Sequence, residues 1–149
     1  MAPPGPRISV TCWLLSAALG LALVISGLFL GRSSAQHTRF DPMKVIDADQ
    51  LKAWIDQGKT MLMIDSRVAP EFEASHIPGA INIPAPHMDH YRDRLPQDSA
   101  YPLVFYCNGW PECKKSHEGA SKAIQWGYSQ VYWFRDGIPA WQAHGYPVE

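Results

Sequence analysis

A chain of 149 residues with a formal net charge of -1 has room for one domain with a real core, and it offers no basic face to nucleic acid. Its three cysteines, Cys12, Cys107 and Cys113, are too few for a disulfide scaffold and lack the paired spacing of a structural zinc site. Six Trp and six Tyr point to a core dominated by large rings.

Residues 1–7 read as a short cytoplasmic amino terminus, and Ile8 to Gly31 carries no charged side chain. As a helix that run spans about 36 Å, at about 1.5 Å per residue, against a bilayer core of about 30 Å. With no polar face it does not suit a soluble core helix. Two readings stay open. An uncleaved transmembrane anchor fits because the run exceeds the apolar stretch of a secretory signal, about 7–15 residues. A cleaved signal peptide fits because Ser33-Ser34-Ala35 resembles a cleavage site. Both put the domain outside the cytoplasm (in the periplasm, for a bacterium) if the amino terminus stays inside, although the flanking charges do not settle orientation. Cys12 lies in the apolar run and reads as inert. Residues 32–41 form a polar linker, and 42–149 form the domain.

From Met43 short apolar runs alternate with helical stretches. Met43 to Ile46 predicts a strand. Asp47 then caps a helix through Gln57, with Gln50 three residues on in a capping-box-like arrangement; Leu51, Trp54 and Ile55 share its apolar face, and Gly58 ends it. Met61 to Asp65 is a short buried strand ending in a carboxylate, Pro70 to Ala74 a short helix, and Ala80 to Ile83 a strand after a Pro-Gly turn. Pro86 to Arg94 reads as helical. His87 and His90 would share one face there, but no further ligand is spaced to complete a set, so no metal or cofactor is expected. Leu103 to Tyr106 is the most strand-like run in the chain. After the loop Cys107 to Cys113, a helix runs from about Lys114 to Trp126, followed by a strand from Gln130 to Trp133 and a last helix from Gly137 to Ala143. Alternation of this kind predicts an α/β fold: a mostly parallel five-stranded sheet with helices on both faces, preceded by the amino-terminal apolar helix.

Open parallel sheets bind ligands beyond the carboxyl ends of their strands, where Cys107 falls. Asn108-Gly109 lets the backbone turn tightly, and the helix that follows offers unpaired N–H groups and a positive dipole end. Such a place favours a thiolate. Lys114 and Lys115 add positive charge, and Glu112 opposes it. Position alone also allows a buried structural thiol, since free Cys is among the most buried residue types. Cys113, one turn away, adds a thiol that is able to close a disulfide outside the cytoplasm.

The order of elements from Asp41 to Glu149 resembles the rhodanese-like, or sulfurtransferase, family. Asp65-Ser66-Arg67 looks like the Asp-x-Arg that closes the second strand. Glu71-Phe72 followed by Ser75-His76-Ile77-Pro78-Gly79-Ala80 looks like the signature ending in H-I-P-G-A. Val104-Phe105-Tyr106-Cys107 looks like the strand carrying the nucleophile, and Asp136-Gly137-Ile138-Pro139-Ala140-Trp141 looks like the terminal G-G-x-x-x-W region.

The resemblance implies that Cys107 carries a persulfide. Its thiolate would take sulfane sulfur from a small donor and pass it to a thiol or cyanide-like acceptor. Backbone N–H groups of residues 108 to 113 would hold the anion, so that Asn108, Gly109, Trp110, Pro111, Glu112, Lys114 and Lys115 form its loop. Asp65 and Arg67 would form a structural clasp near the site, and His76 would secure the signature turn. The loop departs from the usual C-x-x-G-x-R: Gly109 comes one place early, an acid stands where Arg is frequent, and Cys113 follows. It looks like the C-x-G-x-x-x-C-type loop of exported rhodanese-like proteins. Glu112 would repel a dianion such as thiosulfate, a repulsion that Lys114 or Lys115 could offset, and Trp110 would shield the sulfur or pack on a partner. Two alternatives stand beside the sulfurtransferase. One is a periplasmic thiol–disulfide redox protein using Cys107 and Cys113. The other is a non-catalytic rhodanese-like binding module docking a periplasmic protein.

Overall fold

The computed structural model describes residues 43–111 and 114–149. The amino-terminal apolar run, its cleavage-like site, the linker, Glu112 and Cys113 lie outside the described residues. Among the described residues no helix is long and apolar enough to cross a membrane.

Five parallel strands form one sheet: β1 (Met43–Ile46), β2 (Leu62–Asp65), β3 (Ile81–Asn82), β4 (Leu103–Tyr106) and β5 (Val131–Phe134). Their spatial order is β1-β5-β4-β2-β3. Among the described residues four α-helices flank it: α1 (Ala48–Asp56), α2 (Ala69–Ala74), α3 (Lys115–Gln125) and α4 (Gly137–Ala143). The α/β architecture expected above is therefore present, with every described strand pair parallel.

β4 lies at the centre, and all four of its residues are buried. Alternation sends Val104 and Tyr106 to one face and Leu103 and Phe105 to the other. On the first face Leu51 of α1 and Ile138 and Trp141 of α4 close over Val104, Tyr106 and Phe134. On the second, Ala120 and Ala123 of α3 lie against Leu103, Phe105 and Val131. Small residues are needed there: a Cβ on Gly119 would meet the Phe105 ring at 3.2 Å.

Local chemistry accounts for the element ends. The Asp47 side chain accepts the Gln50 N–H at 2.8 Å and starts α1. Gly58 takes a positive φ of 63° just past its end. Two segments differ from expectation. The third strand is the short Ile81–Asn82; the Ile83 N–H still reaches the Asp65 carbonyl at 3.0 Å, and the pairing ends at Pro84, which has no N–H to donate. The expected helix near Pro86 is instead a 3-10 segment over Ala85–Arg94, in which only Met88 is buried. Without an apolar stripe to dock, this stretch gains little from α-helical spacing.

Candidate active site

The sheet delivers two chain segments to one place. β2 and β4 are neighbours in register, with Asp65 opposite Tyr106, and the Ser66 N–H continues the ladder to the Tyr106 carbonyl at 2.9 Å. Cys107 follows directly. It is fully buried and disulfide-bonded, and both other cysteines of the chain, Cys12 and Cys113, lie outside the described residues. Of the states the sequence left open at this position, thiolate and disulfide among them, the structure holds the disulfide.

Ser116, in the first turn of α3, places its hydroxyl 3.1 Å from Cys107 Sγ, and Trp133 Nε1 donates to the same oxygen at 2.9 Å. These two bonds fix the direction of the first. An indole N–H only donates, so it occupies a lone pair of Ser116 Oγ, and a sulfur in a disulfide has no proton to give. The Ser116 hydroxyl therefore donates to the sulfur. The same proton suits an anionic sulfur, since hydrogen bonds to charged acceptors are the stronger kind.

A second turn of chain clamps the Cys107 loop from behind. Ile138 N–H donates to the Cys107 carbonyl at 2.9 Å, and Trp110 N–H donates to the Arg135 carbonyl at 3.1 Å. The backbones are so close that a Cβ on Gly137, whose φ is +62°, would lie 2.1 Å from the Cys107 carbonyl oxygen. One on Gly109 would lie 2.8 Å from the Asp136 carbonyl oxygen. This geometry corrects part of the expected ring of amides: the Trp110 N–H is already committed to β5's end, and Pro111 has no N–H to offer.

The other expected residues fall as follows. Asp65 and Arg67 form a buried clasp, in which Arg67 Nη2 lies 2.6 Å from Asp65 Oδ2 and 2.6 Å from the Ser75 carbonyl. Burial works against the charge on Arg67, but the bonds to Asp65 outweigh it and hold the guanidinium charged. Tyr106, whose hydroxyl accepts the Ile77 N–H at 3.2 Å, is pushed well above the ordinary phenol range by burial, with the Asp65 charge adding to the shift. His76 ties down the signature turn: its ring stacks on Phe72 at 3.7 Å, and its backbone pairs with Glu149. Lys114 stands at the N-cap of α3 with its ammonium over the Trp110 ring, while Lys115 reaches toward Glu71 at 3.9 Å. Among the described residues no cluster of ligating side chains could hold a metal.

Two residues not singled out as site residues in the sequence belong here. Ser116 is one; it heads the buried stripe Ser116, Gly119, Ala120 and Ala123 of α3, and a polar side chain leading such a stripe was the available signal. Glu71 is the other. Its carboxylate accepts the Asn108 side-chain amide at 2.6 Å and so fastens the Cys107 loop to α2. That bond from Asn108 is the main reason the Glu71 carboxyl sits below the usual range, with Lys115 contributing.

The family model of the rhodanese-like domain matches residues 47–144, which includes every element from α1 to α4. The chain belongs to the rhodanese-like domain family. Among curated relatives, the tRNA uridine(34) hydroxylase of Yersinia pestis (strain Pestoides F) is 31% identical over 109 residues, covering 66% of this chain. The chain spans only 29% of that relative's length. Among solved structures, the BH2092 protein of Bacillus halodurans superimposes with a TM-score of 0.63 at 29% identity, covering 71% of this chain and 76% of that one. A thiosulfate sulfurtransferase of Pseudomonas aeruginosa shares the fold with a TM-score of 0.63 at 22% identity, over 72% of this chain and 20% of its own. In this rhodanese-like domain Cys107 occupies the end of the central strand, the position the resemblance assigned to the sulfur carrier.

Proposed function

We propose that the reduced protein is a sulfurtransferase that carries sulfane sulfur as a persulfide on Cys107. The observation that carries this reading is the Ser116 hydroxyl aimed at Cys107 Sγ in a rhodanese-like fold. Reduction of the disulfide by a dithiol frees the Cys107 thiolate. The thiolate attacks the outer sulfur of a donor such as thiosulfate. The donor's S–S bond breaks, sulfite leaves with the electron pair, and Cys107–S–S⁻ remains. A thiol or cyanide-like acceptor then attacks the outer sulfur and regenerates the thiolate. Ser116 steadies the anion at both stages. The test is mass analysis of reduced protein incubated with thiosulfate or an organic persulfide: one sulfur atom is gained on Cys107 and is removed by cyanide. Thiocyanate formation that survives Cys107→Ala would end this proposal.

A second reading is favoured by the disulfide at Cys107. In it the protein is a thiol–disulfide redox protein with Cys113, six residues away in sequence, as the resolving thiol. Alkylation of protein taken from its native compartment decides it: two permanently free thiols speak against a redox pair. A structural or catalytic disulfide is at home in an oxidising compartment. Together with the charge-free run Ile8 to Gly31, this supports a domain held outside the cytoplasm, by an anchor or after export, that meets its small donor and thiol acceptor there.

A further inference from the structure

The middle residue of Asp65-Ser66-Arg67 takes no side-chain part in the clasp its neighbours make. Ser66 is 1% exposed, and its hydroxyl is the one buried side-chain N or O atom among the described residues without a hydrogen-bond partner. Its backbone is fully used. The N–H donates to the Tyr106 carbonyl at 2.9 Å, and the carbonyl accepts the Ala85 N–H at 3.4 Å. A buried hydroxyl left without a partner weakens the fold, and such breaches of full pairing are expected at functional sites.

The sheet register says what Ser66 faces. Asp65 stands opposite Tyr106, so one more step along both chains sets Ser66 beside Cys107. Side chains alternate along a strand. Ile64 and Phe105, two residues before this pair, lie together in the core layer under α3, so Ser66 and Cys107 are directed to that same layer. For Cys107 the contact is on the page: its Sγ meets Ser116 of α3 at 3.1 Å.

Ser66 Oγ makes no bond to Sγ itself. It belongs to the neighbouring strand, about 4.8 Å away backbone to backbone. A second sulfur on Cys107 lengthens that side chain by about 2 Å, which brings it within reach of the hydroxyl. The second sulfur of a disulfide is neutral and held by its own chain. The outer sulfur of a persulfide carries the negative charge and turns about the Cβ–Sγ bond until it meets a donor. Ser66 has a proton to give, and an anionic sulfur is the stronger kind of acceptor.

From this geometry we infer that Ser66 is a further catalytic residue, whose hydroxyl donates to the outer sulfur of Cys107–S–S⁻ while Ser116 holds the inner one. The inference rests on the sulfurtransferase reading. Ser66 makes and breaks no covalent bond. It stabilises the persulfide relative to the thiolate, and so sets how readily Cys107 takes up and releases sulfur.

The test uses the full chain, reduced by a dithiol that is then removed, as wild type and as Ser66→Ala. Each is equilibrated with thiosulfate and sulfite, and separately with glutathione persulfide and glutathione, at fixed ratios. Peptide mass analysis reads loaded over unloaded Cys107. This ratio should fall by about tenfold or more in Ser66→Ala with either donor, the value of one hydrogen bond to a charged acceptor. Two readouts on the unloaded protein should not fall. The rate of alkylation of Cys107 by iodoacetamide should match wild type at every pH, because the hydroxyl does not touch Sγ. The urea midpoint should be no lower than wild type, because the hydroxyl has no partner to lose. Equal loading of the two proteins overturns the role of Ser66 while sulfur transfer itself stands. A changed alkylation profile or a lowered midpoint in the unloaded variant also overturns it, since the hydroxyl would then serve the thiolate or the fold. Failure of the wild type to gain sulfur on Cys107 from either donor overturns the sulfurtransferase reading and this inference with it.

Discussion

Replacing Ser116 with Ala removes one hydroxyl that serves two buried groups, and the two losses are separable. The first falls on Trp133. Its indole N–H has Ser116 Oγ as acceptor at 2.9 Å, and the Trp133 side chain belongs to a buried strand. A buried donor left without a partner costs about 1–3 kcal/mol. The domain should therefore unfold at lower urea concentration with an unchanged slope. The second loss falls on the sulfur. In the reduced protein the hydroxyl that now donates to Sγ at 3.1 Å would stabilise a thiolate over a thiol. A hydrogen bond to a charged group contributes about 1.5–3 kcal/mol, which is about a ten- to hundredfold change in the ratio of thiolate to thiol. The Cys107 thiol pKa should rise in Ser116→Ala. The assay is the rate of alkylation of the reduced protein by iodoacetamide as a function of pH, beside the rate of thiocyanate formation. Ser116→Thr, which keeps a hydroxyl, should recover most of the alkylation rate, although its extra methyl enters a tightly packed place. If Ser116→Ala loses stability but its alkylation profile matches the wild type, the hydroxyl serves only Trp133 and the argument for sulfur activation is wrong.

Three further outcomes are expected. Arg67→Ala leaves the Asp65 carboxylate, which is fully buried, without its partner; a loss of about 3–5 kcal/mol is expected, read from urea unfolding, and a smaller loss in Arg67→Met/Asp65→Leu would show that the unpaired charge is the cause. Gly137→Ala would drive a methyl to 2.1 Å from the Cys107 carbonyl at a positive φ; about 1–3 kcal/mol of overpacking should displace the Cys107 loop, seen as lost sulfur loading and faster proteolysis of the loop, and a fully active variant would contradict the clamp. Glu71 has a folded pKa below its unfolded value, so its contribution is complete above the unfolded value, about 4.3, and is lost as pH falls through the lower folded one. Unfolding midpoints between pH 2 and pH 6 should accordingly fall more gently at the acid end in Glu71→Gln than in wild type, and parallel curves would show that the bond to Asn108 contributes nothing.

Much of this was legible in the residues themselves. Asp47 announced the start of α1 because a short side chain oxygen can reach its own helix's N–H groups, and it does so at 2.8 Å. Leu103 to Tyr106, a short unbroken run of β-prone apolar and aromatic residues, announced a strand. Asp65 and Arg67 are two residues apart, and their clasp is a local event. The failures are equally physical. The stretch Pro86 to Arg94 looked helical, yet whether a weakly amphipathic segment takes α or 3-10 spacing depends on what it can pack against. The ring of amides around the sulfur looked natural for the loop, but the direction of the Trp110 N–H is decided by the Arg135 carbonyl, which the chain brings back 25 residues later.

The order of residues by itself determined that strands and helices alternate, that Cys107 follows a strand, and that the signature turn and the Asp65–Arg67 pair lie in the same domain. Those properties come from side-chain periodicity, turn chemistry and covalent neighbourhood. Only the tertiary structure decided that Ser116 and Trp133 stand in line with the sulfur and that Glu71 holds Asn108 from 37 residues away. Such contacts join distant parts of the chain, and their geometry exists only once the sheet has fixed the spacing of the segments that carry them.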